Sequence, residues 1–455
     1  MSWTLPEILA ATGGELLRWG PGPFHGFSTD TRQTSAGEAF VALRGPRFDG
    51  HELVAAALER GATAVVVDKD VSLPNGAAGI RVGDGLRALG DLAAARRRTL
   101  PLRVVGVTGS NGKTTTKEMI AAALSARGAK VAKSRGTENN LVGLPQTLLR
   151  LSGDEDFAVL EMGMNRPGEI WRLAEIARPD VGVITNVAPA HLEGLGSLAN
   201  VAAAKEELAL GLAPTGILVL NAADPRLVAI AERFAGRKVL AGGKGSLRAL
   251  SSLPTANGQK VEIEVEGRRA SIELPIRGSH NVENALLAIA AGLALDVDLD
   301  AALAGLTTFT PPAMRLQVDV TLQGARILND AYNANPASME AALAVLAAEP
   351  GRRKLAVLGE MWELGGEAAR YHREVGAAAA RARVDGLLAV GRYGVEMAAG
   401  AVEAGLPRTL VECCESPAEA AARLVPRLAD GDVVLVKGSR GARMEEVVRR
   451  LRGQS

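Results

Sequence analysis

The chain has 455 residues, 47% of them hydrophobic and 23% charged, with a net charge of +1. Such a chain suits about three globular domains, and it offers no bulk field for nucleic acid or an anionic membrane. Aromatics at 3% are too sparse for base-stacking platforms, and apolar stretches such as Leu208 to Leu220, broken by Gly211, Pro214 and Gly216, exclude a membrane span.

Residues Met1 to Glu7 lack the basic and continuous apolar regions of a signal peptide. The adjacent Cys413 and Cys414 offer neither a disulfide framework nor zinc spacing, so a reducing cytoplasm is expected. In the first unit, residues 1–98, a short helix is predicted near Pro6–Ala11 and another over Glu52–Arg60. Strands are predicted over Ala39–Leu43 and Ala64–Val67. Its polar interest lies in Ser28, Thr29, Asp30, Thr31 and Arg32, and in Asp49 and His51. Hydroxyls, a turn and a guanidinium can hold a phosphorylated ligand; they can equally form capped turns.

Arg96–Pro101 is basic and ends in proline, the pattern of a joint. Beyond it, residues 99–313 alternate strand and helix. The predicted strands are Arg103–Thr108, Lys130–Lys133, Phe157–Leu160, Val181–Ile184 and Ile217–Leu220, and continuous apolar strands spaced by helices imply a parallel sheet covered on both faces. An alternating stretch over Lys260–Pro275 predicts a small antiparallel appendage. Thr310-Pro311-Pro312 marks a second joint, and residues 314–455 restart the strand–helix rhythm: strands at Arg326–Leu328, Leu355–Leu358, Leu387–Val390, Thr409–Val411 and Val433–Val436. That is a second, Rossmann-like doubly wound domain. It lacks a dinucleotide fingerprint after its first strand.

The stretch with the clearest chemistry is Thr108-Gly109-Ser110-Asn111-Gly112-Lys113-Thr114-Thr115, between a β-branched strand and a helix. Glycines turn backbone N–H groups inward, the helix N-terminus adds partial positive charge, Lys113 can reach outer phosphates and Thr114 can ligate Mg²⁺. The general pattern has glycine where Val107 stands. Acid and imidazole positions follow the other strands, at the edge where ligands bind an open parallel sheet: Glu161, His191 and Asp224. Glu161 is the natural second oxygen ligand for Mg²⁺ beside Thr114, whereas His191 taken alone can merely close a loop. Lys205 has the spacing of a solvated helix lysine. Asn281 and Asn284, three apart on one helix face, can present amides to a purine edge; N-capping is the alternative for Asn281. Arg315 could reach phosphate oxygens if the last domain closes, Asp330 could accept ribose hydroxyls, and Lys437–Gly441 is a basic strand-end loop facing the same crevice.

These residues closely resemble the Mur ligases, the ATP-dependent amino-acid-adding enzymes of peptidoglycan precursor synthesis. The variant phosphate loop, Glu161-Met162-Gly163, Ala190-His191-Leu192-Glu193 and His280-Asn281-Val282-Glu283-Asn284 match in order and approximate spacing. Asp330 to Met339, Leu358 to Gly365 and Ser28 to Arg32 resemble the branch that adds D-alanyl-D-alanine. Asn329 and Glu360 depart mildly from its pattern, and the Asp-Asn-Pro-Arg signature of the diaminopimelate-adding branch is absent.

The resemblance implies an α/β fold of three domains: an N-terminal α/β domain holding a UDP-sugar, a central P-loop parallel-sheet domain binding ATP, and a C-terminal Rossmann-like domain receiving a dipeptide. It implies ATP and Mg²⁺ as cofactors, UDP-N-acetylmuramoyl-tripeptide and D-alanyl-D-alanine as substrates, and a cytoplasmic monomer. Lys113, Glu161, His191 and Lys205 would be catalytic. Thr114, Glu161 and His191 would ligate metal, with Lys205 if it is carbamylated, as relatives carry it. Asn281 and Asn284 would approach adenine, Arg315 phosphate and Asp330 ribose, while Ser28, Thr29, Asp30, Arg32, Asp49 and His51 would face the UDP-substrate. Two rivals remain: a folate polyglutamylating ligase on the same scaffold, and a nucleotide-binding switch that performs no ligation.

Overall fold

Valines and leucines too closely spaced to show one polar face are buried on both sides of their strands, as at Val104, Val105 and Val107, and such strands need helices on both faces. The computed structural model, which describes residues 2–454, meets that need three times along the chain.

The first sheet has five strands in the order Glu15–Arg18, Ala78–Arg81, Ala64–Val67, Ala39–Val41, Phe27–Ser28. All neighbours are parallel except the first pair. The expected helices form over Leu5–Thr12 and, after a 3₁₀ turn at Gly50–Leu53, over Val54–Glu59. Three strands of this sheet, the two-residue strands Arg44–Gly45 and Phe48–Asp49 beside it, and the helix Gly85–Thr99 were not among the predicted elements.

That helix also corrects one expectation: Arg96, Arg97 and Arg98 are no joint, but its last turn. Cations are favoured at a helix C-terminus, and here they serve the next domain as well. Arg96 Nη2 donates to the carbonyls of Leu151 (2.5 Å) and Ser152 (3.1 Å), and Arg97 Nε to that of Ala177 (2.8 Å). The helix lies so close to its neighbour that a Cβ on Gly90 would sit 2.8 Å from both Arg172 and Ile176. The first two units are therefore packed together rather than strung on a linker.

The central sheet has nine strands. Arg103–Thr108 lies between Phe157–Glu161 and Val181–Ile184, all parallel. Ile217–Asn221 and Arg237–Ala241 continue the sheet on one side, Val131–Lys133 on the other. The predicted antiparallel hairpin forms over Gly258–Val265 and Arg268–Leu274, but it is not a separate appendage. Leu247–Thr255 pairs with both it and Arg237–Ala241, so the hairpin extends the main sheet. Helices Lys113–Ser125 and Ser279–Ala294 bury one face of this sheet; Glu169–Ala177 and Leu198–Leu210 bury the other.

The last sheet has six strands in the order Gln317–Val320, Arg326–Asp330, Val433–Lys437, Lys354–Leu358, Gly386–Val390, Val411–Cys414, the first antiparallel and the rest parallel. The strand expected over Thr409–Val411 starts later because Arg408–Leu410 turns as a 3₁₀ helix. Between the central and last sheets, Glu349 is buried and accepts from Arg277 of one and, at 2.8 Å, from Arg326 of the other.

Candidate active site

Thr108 ends an interior strand of the central sheet and Lys113 begins a helix. The turn between them depends on two glycines. Gly109 and Gly112 have φ of 148° and 79°, a region L side chains rarely adopt. A Cβ on Gly109 would lie 1.8 Å from Thr185 Oγ1, and one on Gly112 2.5 Å from Asn284 Oδ1. Val107, where the general pattern has glycine, is a fully buried strand residue, so the chain begins its turn two residues later. No side chain caps the helix, which leaves its first N–H groups available to an anion.

Lys113 Nζ donates to the carbonyl of Gly109 at 2.8 Å. Burial holds its amine below the ordinary lysine range, with the Glu161 charge opposing that shift. Glu161, the last residue of its strand and 3% exposed, accepts from Thr114 Oγ1 and Asn139 Nδ2, each at 2.9 Å. Arg315 reaches the same hydroxyl from beyond the second joint: its Nη2 donates to Thr114 Oγ1 at 3.2 Å, and its guanidinium lies 4.3 Å over the Tyr332 ring.

A cleft of about 470 Å³ opens above the loop, lined by Ser110 to Thr115 and by Asn281, Asn284, Arg315 and Asp330. That volume suits a nucleotide-sized ligand. Asn281 is the third residue of its helix, whose cap is Gly278, so the capping alternative fails. Its Nδ2 donates to the Arg277 carbonyl at 2.7 Å, and Asn284 Nδ2 donates to Asn281 Oδ1 at 3.1 Å. Asp330 Oδ2 accepts from Lys437 Nζ at 2.5 Å; the two stand opposite each other on paired strands. Lys437, expected in an open basic loop, is in fact a buried strand end.

Lys205 is the clearest correction. Its spacing predicts a solvated lysine, yet it is 0% exposed and its Nζ has no partner. Burial, and then the charge of Lys113, push its amine well below the lysine range. His191 caps the short helix Leu192–Leu195, and its Nδ1 lies 2.6 Å from Oε2 of Glu363 in the last domain. The His191 imidazole, with Lys113 further off, holds the Glu363 carboxyl below its usual range.

The first-domain candidates form two networks. Ser28 Oγ donates to the Asp30 carbonyl at 3.0 Å, Arg32 is paired with Asp30 at 2.7 Å, and Thr29 Oγ1 accepts from Gln146 of the central domain at 2.6 Å. Asp49 Oδ1 lies 2.6 Å from His51 Nδ1, and Asp68 N donates to His51 Nε2 at 3.1 Å. Both ring nitrogens of the buried His51 are thus engaged within the protein. The Lys69 ammonium, then His51, hold the Asp49 carboxyl well below its usual range. Ser28 ends the edge strand of the parallel sheet and Asp68 follows Ala64–Val67 of the same sheet, while Asp49 ends the short strand Phe48–Asp49 of a separate two-stranded hairpin.

Sequence reasoning missed Asn139 and Glu363, and also Asn335. Asn335 and Asn111 exchange amide hydrogen bonds of 2.7 and 3.2 Å between the last and central domains. A signal for Asn335 was present, since Asn before proline opens the helix Pro336–Ala348 as its cap.

A phosphate loop whose cleft is completed by a second α/β domain defines a nucleotide-dependent enzyme of the P-loop type. The Mur ligase family catalytic domain signature matches residues 23–97, the Mur ligase middle domain residues 107–292, and the Mur ligase glutamate ligase domain residues 314–440. The UDP-N-acetylmuramoyl-tripeptide–D-alanyl-D-alanine ligase of Escherichia coli (strain K12) is 38% identical, over 99% of this chain and 98% of that protein. Among solved structures, MurF from Acinetobacter baumannii superposes with a TM-score of 0.93 at 31% identity, covering 100% and 99% of the two chains. MurF ligase from Thermotoga maritima, solved in complex with ADP, has a TM-score of 0.83 at 28% identity and covers 94% and 97%. The chain belongs to the Mur ligase family.

Proposed function

We infer that this chain is an ATP-dependent ligase that joins D-alanyl-D-alanine to UDP-N-acetylmuramoyl-tripeptide, giving the pentapeptide precursor of peptidoglycan. The observation that carries this reading is the end-to-end likeness to UDP-N-acetylmuramoyl-tripeptide–D-alanyl-D-alanine ligases. The terminal carboxylate of the tripeptide attacks the γ-phosphorus of ATP, forming an acyl phosphate and releasing ADP. The dipeptide amine then attacks that carbonyl, and phosphate leaves as the amide forms and the amine loses its proton.

Two anions must meet in the first step, so the residues' main task is electrostatic. Lys113 and the free N–H groups of its helix hold the outer phosphates. Arg315 brings a guanidinium to the same point once the last domain is docked. Asn281 and Asn284 face adenine and Asp330 the ribose. Ser28, Thr29, Asp30 and Arg32, with Asp49 and His51, receive the UDP-sugar. The acyl phosphate hydrolyses in water, so docking of the last domain also protects it.

The donor set fits Mg²⁺. Among the described residues no group of three or more His, Cys, Asp or Glu could hold a metal ion, but Mg²⁺ needs only one or two protein oxygens beside phosphates and waters. Thr114 and Glu161 present theirs 2.9 Å apart, with His191 as a further ligand and Lys205 if carbamylated. When bound, the ion would supply positive charge that offsets the charge of the phosphates. A cleft built within one chain supports a monomer, and the use of ATP with a UDP-linked substrate supports a cytoplasmic reaction.

A coupled assay tests the reading. Phosphate release should require ATP, the UDP-tripeptide and D-alanyl-D-alanine together. Turnover with ATP alone, or with a folate in place of the UDP-tripeptide, would refute it.

A further inference from the structure

The loop Gly359–Leu364 of the last domain meets the loop Ala190–Gly194 of the central domain. The two are joined at the backbone, where Glu193 N donates to the Glu363 carbonyl at 3.2 Å, and at the side chains, where Glu363 Oε2 lies 2.6 Å from His191 Nδ1. The imidazole is three-quarters buried and the carboxylate half-exposed. Both residues adopt left-handed backbone, with φ of 56° for His191 and 63° for Glu363. That conformation is strained for a non-glycine residue, so surrounding contacts must hold each in place. The carboxylate sits off the line of the ring N–H, leaving Nδ1 without a well-directed acceptor in this structure, although the two atoms are within hydrogen-bonding distance. Lys113 lies near enough to feel the Glu363 charge.

We propose that Glu363 is a positioning residue for phosphate transfer: supplied by the last domain, its carboxylate keeps the His191 proton on Nδ1 and leaves the Nε2 lone pair free for the phosphate site. An imidazole offers one nitrogen as acceptor or ligand only when the other carries the proton, and a carboxylate hydrogen bond selects which. A free neutral imidazole has no such bias imposed on it. His191 is therefore set in its working form only when the last domain is docked, which ties domain docking to assembly of the site. The inference rests on the ligase reading for its purpose, while the geometry it invokes does not depend on turnover.

The test uses the full chain labelled with ¹⁵N-histidine. With five histidines, the His191 signals are assigned by their loss in His191→Ala. At about pH 8.5, where an ordinary imidazole is neutral, His191 should carry its proton on Nδ1 in the parent and shift toward Nε2 in Glu363→Ala. Glu363→Gln, whose amide oxygen still accepts, should keep the Nδ1 form. In the coupled assay Glu363→Ala should lower kcat roughly 10- to 100-fold with the KM for UDP-tripeptide unchanged, Glu363→Gln should recover most of the loss, and Glu363→Ala should cost nothing further in a His191→Ala background. An unchanged His191 tautomer in Glu363→Ala, or full additivity of the two losses, would overturn the proposal. If the tautomer shifts while the parent fails to ligate D-alanyl-D-alanine, the positioning role stands and the assigned reaction falls.

Discussion

Glu349→Ala should loosen the last domain from the central one. Glu349 is 2% exposed at its side chain and receives two guanidinium groups, Arg277 from the central domain and Arg326 from the last. Those side chains are themselves 18% and 31% exposed, so water compensates them only in part. Hydrogen bonds to a charged group contribute about 1.5–3 kcal/mol each, and breaking a buried pair by removing one partner costs about 3–5 kcal/mol. Arg277 retains the carbonyls of Thr255 at 2.8 Å and Ala256 at 2.9 Å, and Arg326 that of Pro350. Allowing for those bonds and for the partial exposure, the expected loss is about 2–4 kcal/mol. Urea unfolding followed by tryptophan fluorescence measures it, with Trp362 reporting on the last domain. Glu349→Gln keeps an acceptor for one arginine and should lose about half as much. A loss below about 0.5 kcal/mol in Glu349→Ala, the scale of an ordinary surface substitution, would refute the reasoning.

Lys113→Ala should abolish phosphate release while leaving the unfolding midpoint close to the parent; full activity would remove the loop from the chemistry. Lys205→Met should raise stability at neutral pH. The native amine has a lowered pKa, so the unfolded chain binds more protons and stability rises with pH; the gain should shrink as pH climbs toward the free lysine value of about 10.4, and a destabilised variant at pH 7 would contradict the buried, unpartnered amine. Burial pushes the Cys414 thiol up to about 11, so it should resist iodoacetamide at pH 8 in the native protein, as mass spectrometry would show; rapid native labelling of Cys414 would contradict that burial.

The phosphate loop was legible because it is local: strand, glycines, Lys-Thr and helix are contiguous, and Glu161 was legible from its place at a strand end. Lys205 was legible only through the family resemblance, since its burial comes from packing against the central sheet, which leaves no trace in helical spacing. The helix Gly85–Thr99 escaped notice because three arginines before a proline resemble a linker, when those arginines in fact bind carbonyls of the next domain. Glu363, Asn335 and Asn139 act through contacts between segments far apart in sequence. The hairpin at Gly258–Leu274 was recognised by its alternation, but its continuity with the main sheet depends on Leu247–Thr255, whose exposed, irregular sequence does not announce a strand.

The position of Arg103–Thr108 inside the nine-stranded sheet, paired on both edges, bears on how the enzyme is made. Its two neighbours, Phe157–Glu161 and Val181–Ile184, come later in the chain. On the ribosome, this apolar strand has both edges bare until Glu161 has emerged and one edge bare until Ile184 has, and an unpaired apolar edge is where chains join wrongly. The loop that will hold phosphate gains its Thr185 and Asn186 supports only at that moment, so nucleotide can bind and secure the nascent domain late, not early. A truncation before Ile184 should yield aggregate rather than a smaller nucleotide-binding domain.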